Sequence, residues 1–233
     1  MKAVFFIIAL VISANANVNV VCKAGIMDNK SAKIYINRLL EKEPGNVECI
    51  LKLANIHLKN GELLKGYKLI TRAYQASPLE VGQSDVSSIL PYALKMTKMA
   101  KQAKKENNKF IWNEVGDNFF DMGVYYESIE AYKKSLIIDV NQSEIRLKLA
   151  LSHNKSNNTD EAINELFTLI EENEKNFYAN YYLAKILRYS INDENEAIKF
   201  FKNAKEILIS TKDAFSEVQY SSFTSDINTE LGK

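Results

Sequence analysis

The chain has 233 residues, with 30 basic and 29 acidic side chains and a formal charge of +1. This balance supplies no global field to recruit nucleic acid, and the two cysteines and two histidines do not stand at zinc-ligand spacing. Three prolines and eight glycines, spread along the chain, leave no low-complexity linker to divide it.

Met1 and Lys2 precede an apolar run over residues 3–12, followed by Ser13 and Ala14-Asn15-Ala16. This is the pattern of a secretory leader cut after Ala16. Ten apolar residues fall short of the ~20 needed to span a bilayer. Residues 1–16 are therefore expected to be a signal peptide, and 17–233 an exported bacterial protein, periplasmic or secreted. Removing Lys2 with the leader brings the charges level. In an oxidising compartment, Cys22 and Cys49 read as a disulfide that ties the N-terminal segment back to the chain. The alternative is a buried Cys49 with an exposed Cys22 thiol.

Residues 31–43 carry Ala32, Ile34, Ile36, Leu39 and Leu40 at helical spacing, and Pro44-Gly45 stops the run. Leu53-Ala54, Gly66, Ile70, Ala73 and Pro78 follow. Residues 90–105 then form a basic amphipathic helix, with Ala93, Met96, Met99, Ala100 and Ala103 on one face and Lys95, Lys98, Lys101, Lys104 and Lys105 around the other. Such a helix can lie on an anionic membrane surface. Because its apolar side holds only Ala and Met, a solvated charged face is the competing reading.

From Lys109 onward the chain shows Trp112, Val115-Gly116 and Phe119, then Ser128, Tyr132 and Ser135. This spacing resembles the tetratricopeptide repeat, a 34-residue pair of helices whose pattern runs W-x2-L-G-x2-Y, then A-x3-F, then P. The pattern returns with Leu149-Ala150, His153, Ala162, Leu166 and Leu169. It returns again with Leu183-Ala184 and, one residue late, Ala197, Phe201 and Ala204. The resemblance implies an all-α fold, a superhelical solenoid of about four helix pairs plus capping helices. Its parts would be a half repeat at 31–46, repeats at 47–80, 109–142, 143–176 and 177–211, an irregular helical insert at 81–108 and a C-terminal cap at 212–233, with a disordered tail as the rival for the cap.

A helix that ends at the turn inside each pair needs a residue tolerant of positive φ. Counting back five from Gly66, Ser128, Ala162 and Ala197 gives Gly61, Gly123, Asn157 and Asn192, the two residue types suited to that conformation. This places the extra residue of the last repeat before Asn192. Ala54, Gly116, Ala150 and Ala184 are expected to let paired helices approach closely, while Trp112, Phe119, Tyr132 and Phe201 fill the wider gaps as core.

For chemistry the sequence offers little. His57 and His153 occupy the same place in two repeats and read as packing residues, with no nucleophile or carboxylate constellation recognisable around them. Gly61 and Gly66 have the spacing of P-loop glycines, but Tyr67 stands where the lysine would be. The expectation is a non-enzymatic scaffold or assembly factor of the cell envelope, without metal or cofactor, that binds a protein or peptide.

The resemblance implies that the first helix of each repeat lines a concave groove. Carried onto this chain, the groove positions include Glu48, Leu51, Asn55, Leu58 and Lys59 in the first full repeat, and Phe110, Asn113, Asp117, Phe120 and Asp121 in the next. Glu144, Leu147, Leu151, Asn154 and Lys155 follow, then Tyr178, Tyr181, Lys185, Arg188 and Tyr189. Leu51 stands where the carboxylate clamp of chaperone-binding relatives has a lysine, so binding of a chaperone tail is not implied. The partner is expected at Tyr178, Tyr181, Lys185, Arg188 and Tyr189, with Phe110, Asn113, Asp117 and Phe120 extending the site, since exposed aromatics and Arg anchor interfaces. The alternative is that the C-terminal helix or a second copy covers this aromatic face. A second expectation for function is association with anionic lipid or cell wall through the basic helix at 90–105.

Overall fold

A computed structural model describes Cys22 and residues 27–232; the leader assigned to residues 1–16 lies outside them. Among the described residues there are twelve α-helices and no strand. They are α1 (Asn29–Lys42), α2 (Val47–Lys59), α3 (Leu63–Ala76), α4 (Pro78–Gly82), α5 (Leu90–Glu106) and α6 (Lys109–Asp121), then α7 (Tyr125–Ile138), α8 (Ser143–Lys155), α9 (Thr159–Glu172), α10 (Phe177–Ile186), α11 (Glu194–Ser210) and α12 (Glu217–Glu230). Helices α2 and α3, α6 and α7, α8 and α9, and α10 and α11 pair as hairpins. Successive pairs stack through α7 on α8 and α9 on α10. The result is an all-α solenoid of tetratricopeptide-type helix pairs, with α1 packed on α2 at one end and α12 on α11 at the other.

Local chemistry starts and stops the helices where the pairs need it. Asn46, Asn108 and Asn176 each cap a first helix, accepting the backbone N–H of Cys49 at 3.0 Å, Phe110 at 2.9 Å and Ala179 at 3.1 Å. At the turns inside the pairs, Gly61, Gly123, Asn157 and Asn192 have φ of 76°, 72°, 60° and 63°, so all four hold the left-handed conformation their register requires. The extra residue of the last pair is absorbed just before Asn192, where α10 widens into a π-helical turn over Leu187–Ile191. Close approach is sharpest at Gly116, where a Cβ would come within 2.3 Å of Tyr132 Cε1. Ala54, Ala150, Ala184 and the large side chains Trp112, Phe119, Tyr132 and Phe201 are buried.

The insert at 81–108 is shorter than a repeat and lacks its form. Helix α5 packs on α3 on one side and α6 on the other, and Ala93, Met96, Ala100 and Ala103 are buried in those contacts. The apolar face that could have met a membrane is therefore spent inside the protein. Two apolar clusters, one reaching from α1 to α7 and one from α8 to α12, are joined by a smaller group built on Ile129, Tyr132, Ile145 and Leu149. Where α7 meets α8, polar groups are buried and satisfied. There Ser128 Oγ lies 3.0 Å from Ser152 Oγ, and between α7 and α3 the buried Glu127 accepts the Leu64 backbone N–H at 2.9 Å.

Both cysteines are fully buried and both are free thiols, so the reading with an exposed Cys22 does not hold, and the expected disulfide is not formed in this structure. The two side chains are hydrogen-bonded. Burial first, and then Cys22, push the Cys49 thiol up to about 12. Cys22 is held by helix α2: its N–H donates to Glu48 at 3.4 Å and its carbonyl accepts from Lys52.

Candidate partner-binding groove

The first helices α6, α8 and α10 line a cavity of 770 Å³. Helix α6 supplies Asp117, Phe120 and Asp121; α8 supplies Glu144, Leu147, Lys148 and Leu151; α10 supplies Tyr178 and Tyr182. Apolar and aromatic surface dominates, with a few polar groups converging on it, as in binding sites generally.

The charges are arranged rather than scattered. Asp117 Oδ1 accepts from Tyr132 OH at 2.7 Å and from Lys148 Nζ at 3.0 Å, and Lys148 also pairs with Glu144 at 3.1 Å. Burial opposes the Lys148 charge, yet its bonds to Asp117 and Glu144 outweigh it and hold the ammonium above the usual lysine range. Burial, reinforced by Asp117, raises the Tyr132 hydroxyl far above the ordinary tyrosine value. Asp121 lines the cavity and forms no ion pair with any described residue. An occupant would therefore meet an acidic group at one side of an aromatic and aliphatic floor.

Of the nine positions expected to bind, Asp117, Phe120 and Tyr178 come together in this cavity. Phe110 is 70% exposed but stands beside Asp139 at another shallow surface. Asn113 donates to Gln142 at 3.0 Å, within a network in which the Gln142 amide also donates to the carbonyls of Ser135 and Asp139.

The other four positions, with Tyr178 at their edge, meet the chain's own C-terminal helix. Tyr181 stacks on Phe177 with centroids 5.7 Å apart, meets Phe223 edge-on at 5.2 Å, and donates its hydroxyl to Asp226 at 2.7 Å. Lys185 pairs with Asp226 at 3.1 Å, Tyr189 donates to Glu230 at 2.7 Å, and Arg188 pairs with both Glu194 and Glu230. Tyr178 stands at the boundary, lining the open cavity while its ring meets Phe223 edge-on at 5.9 Å. The face the sequence offered to a partner is thus occupied by α12, the covered arrangement kept as the alternative.

Tyr182, Lys148 and the hydroxyl of Tyr132 join the cavity without having been assigned to it. Tyr182 follows Tyr178 and Lys148 follows Glu144 by four residues, so helical neighbour spacing could have found both. Tyr132 was assigned to the core, where its ring does lie; that its hydroxyl reaches the groove depends on the packing against Gly116.

His153 is buried, and burial holds its imidazole below the ordinary histidine value, consistent with packing. His57 differs, since its Nδ1 lies 2.6 Å from Glu62 Oε2. Glu62 also binds Lys33 and Lys65, and the hydrogen bonds from Lys65, Lys33 and His57 lower its carboxyl to about 2. Among the described residues no three His, Cys, Asp or Glu side chains stand together as a metal site, and no helix is long and apolar enough to cross a membrane.

No family model matches the chain, and no curated protein matches it. It is similar to the solved structure of MamA at 17% identity, covering 81% of this chain and 92% of that one, with a TM-score of 0.43. It is also similar to YrrB, described as a TPR protein with an unusual peptide-binding site, at 11% identity over 79% of this chain and 80% of that one, TM-score 0.42. The TPR2AB domain of yeast Sti1 in its pHSP90 complex matches at 15% identity over 86% of this chain and 79% of that one, TM-score 0.45. At these scores no ligand passes from those proteins to this one, and the fold stands on the helix pairing and turn geometry above.

Proposed function

We propose that the protein is a non-enzymatic scaffold that holds a segment of a partner protein in the groove between α6, α8 and α10. The observation that carries this reading is the open 770 Å³ cavity with Phe120, Leu147, Leu151, Tyr178 and Tyr182 beside the unpaired Asp121. Aromatic area supplies affinity and the carboxylate orients the occupant, so the segment that fits carries an apolar side chain next to a Lys or Arg.

Panning a displayed peptide library on the folded protein tests it. Enriched peptides should pair an apolar residue with a basic one, and they should bind at least ten-fold more weakly to Phe120→Ala and to Asp121→Asn, with melting temperatures near that of the parent. Peptides that bind both variants as well as the parent would remove the groove from the function.

We further propose that the scaffold works in a bacterial cell envelope after export. The leader pattern at residues 1–16 and the contact between two buried thiols support that location, because an oxidising compartment would close Cys22 and Cys49 into a bridge. In the chain-entropy model a loop of this size contributes about 3 to 4 kcal/mol. Protein taken from the exported fraction and denatured without reductant should resist alkylation, and the native protein should lose melting temperature when reduced. Full labelling of both thiols under denaturing, non-reducing conditions would overturn the bridge. The membrane-lying role for α5 loses its support, since its Ala and Met face is buried against α3 and α6.

A further inference from the structure

A second cavity, of 610 Å³, lies between α3, α5, α6 and α7 and shares no residue with the groove. Leu64, Ala100 and Trp112 are buried and form its floor, and Ile137, which is 83% exposed, lies at its rim. Around it stand Lys68, Lys101, Lys104 and Lys134, none of them paired with a carboxylate among the described residues. Lys134 Nζ sits 4.8 Å from the centre of the Trp112 ring. Glu127, the carboxylate that acts on Lys68, is buried and already accepts the Leu64 N–H at 2.9 Å. Thr97 Oγ1 is buried at the wall and has no hydrogen-bond partner.

Four cations from three helices around one apolar floor repel one another and leave a donor unused. Lys68 is exposed, yet partial desolvation beside the cavity wall holds its ammonium below the ordinary lysine range; Lys134 pushes the same way, Glu127 opposes, and Lys104 adds to the lowering. An anion placed among them would reverse that penalty. The volume lies within the range of small-molecule sites, and Ile137 at the rim extends the apolar floor outward.

We infer that this cavity binds a small anionic amphiphile, with a carboxylate or phosphate head against Lys68, Lys101 and Lys104 and an apolar arm along Trp112, Ile137 and Leu64. The occupant is a single dissolved molecule rather than a bilayer, because the cations surround a concave site. The site is independent of the groove, so its failure would leave the scaffold reading untouched.

Trp112 is the only tryptophan, so its emission reports this cavity directly. Full-length protein would be titrated with dodecanoate below its aggregation concentration, with dodecyltrimethylammonium, 1-octanol and inorganic phosphate as controls and with phosphatidylglycerol vesicles in a separate arm. Saturable dodecanoate binding that weakens with salt, is at least ten-fold weaker for each control, and falls at least ten-fold in the Lys68→Gln, Lys104→Gln double variant supports the site. The variant's circular dichroism and melting temperature should match the parent, as both side chains are on the surface. Equal response to the cationic amphiphile or to octanol would reduce the site to an apolar crevice and overturn the proposal. Equal response to phosphate would remove the apolar arm, and vesicle binding without dodecanoate binding would assign the lysines to a bilayer; both outcomes also overturn it, as would unchanged binding in the double variant.

Discussion

Two neighbouring first helices, α8 and α10, both line the groove, yet the α8 face is open while the α10 face beyond Tyr178 is covered. The α8 face, with Leu147 and Leu151 beside Glu144 and Lys148, remains a cavity wall. The α10 face is covered by α12, where Phe177 and Tyr181 meet Phe223, and Asp226 and Glu230 answer Lys185 and Arg188. The difference is one of composition. A contiguous aromatic stripe flanked by cations costs more to leave in water than a pair of leucines beside an ion pair, and a solenoid end must be closed in any case. An interface-like face near a chain end therefore has a candidate occupant already attached.

The largest expected effect lies on the covered side. Ile227→Ala removes a fully buried side chain where α12 meets the core and should cost about 3 kcal/mol in chemical denaturation. Leu151→Ala on the half-buried open wall should cost about 1 kcal/mol. Equal losses would break the contrast between the two faces. Gly116→Ala addresses the support of the open side, since its Cβ would press within 2.3 Å of the buried Tyr132 ring; overpacking of about 2 kcal/mol, seen as a lower melting temperature, is expected.

Smaller effects separate the clasps. Glu230→Gln weakens the contacts to Arg188, Lys185 and Tyr189 together, so limited proteolysis between α11 and α12, in residues 211–216, should speed up several-fold. Glu144→Gln should leave that cleavage rate as it is. The faintest distinction is in alkali. Burial first, and then a carboxylate partner, raise the hydroxyls of both Tyr132 and Tyr181. Each contributes stability that is present in full below about pH 10, the unfolded tyrosine value, and is lost as the pH rises from there toward the folded value. Tyr181→Phe should flatten the alkaline loss of α12 protection in hydrogen exchange, and Tyr132→Phe should do so only for α6 to α8.

The repeat register was readable because it rests on local requirements. A turn that needs positive φ accepts few residue types, and Gly61, Gly123, Asn157 and Asn192 met it independently at four places. The additional residue before Asn192 was countable for the same reason, although not its form as a π-helical turn. The site was only partly readable. Asp117, Phe120 and Tyr178 were found through their helical face, but the same rule selected Tyr181, Lys185 and Arg188, which satisfy a helix about forty residues further along.

By itself, then, the sequence determined the helices, their pairing, the positive-φ turns and the small residues, such as Gly116, at which paired helices approach closely, because each depends on residues within one repeat. Only the tertiary structure decided which faces stay open, that α12 lies on α10, that α5 spends its apolar side on α3 and α6, and that lysines from α3, α5 and α7 surround one cavity. These outcomes bring together residues far apart in the chain, and whether a face is exposed depends on what else packs against it, which no periodicity along one helix records.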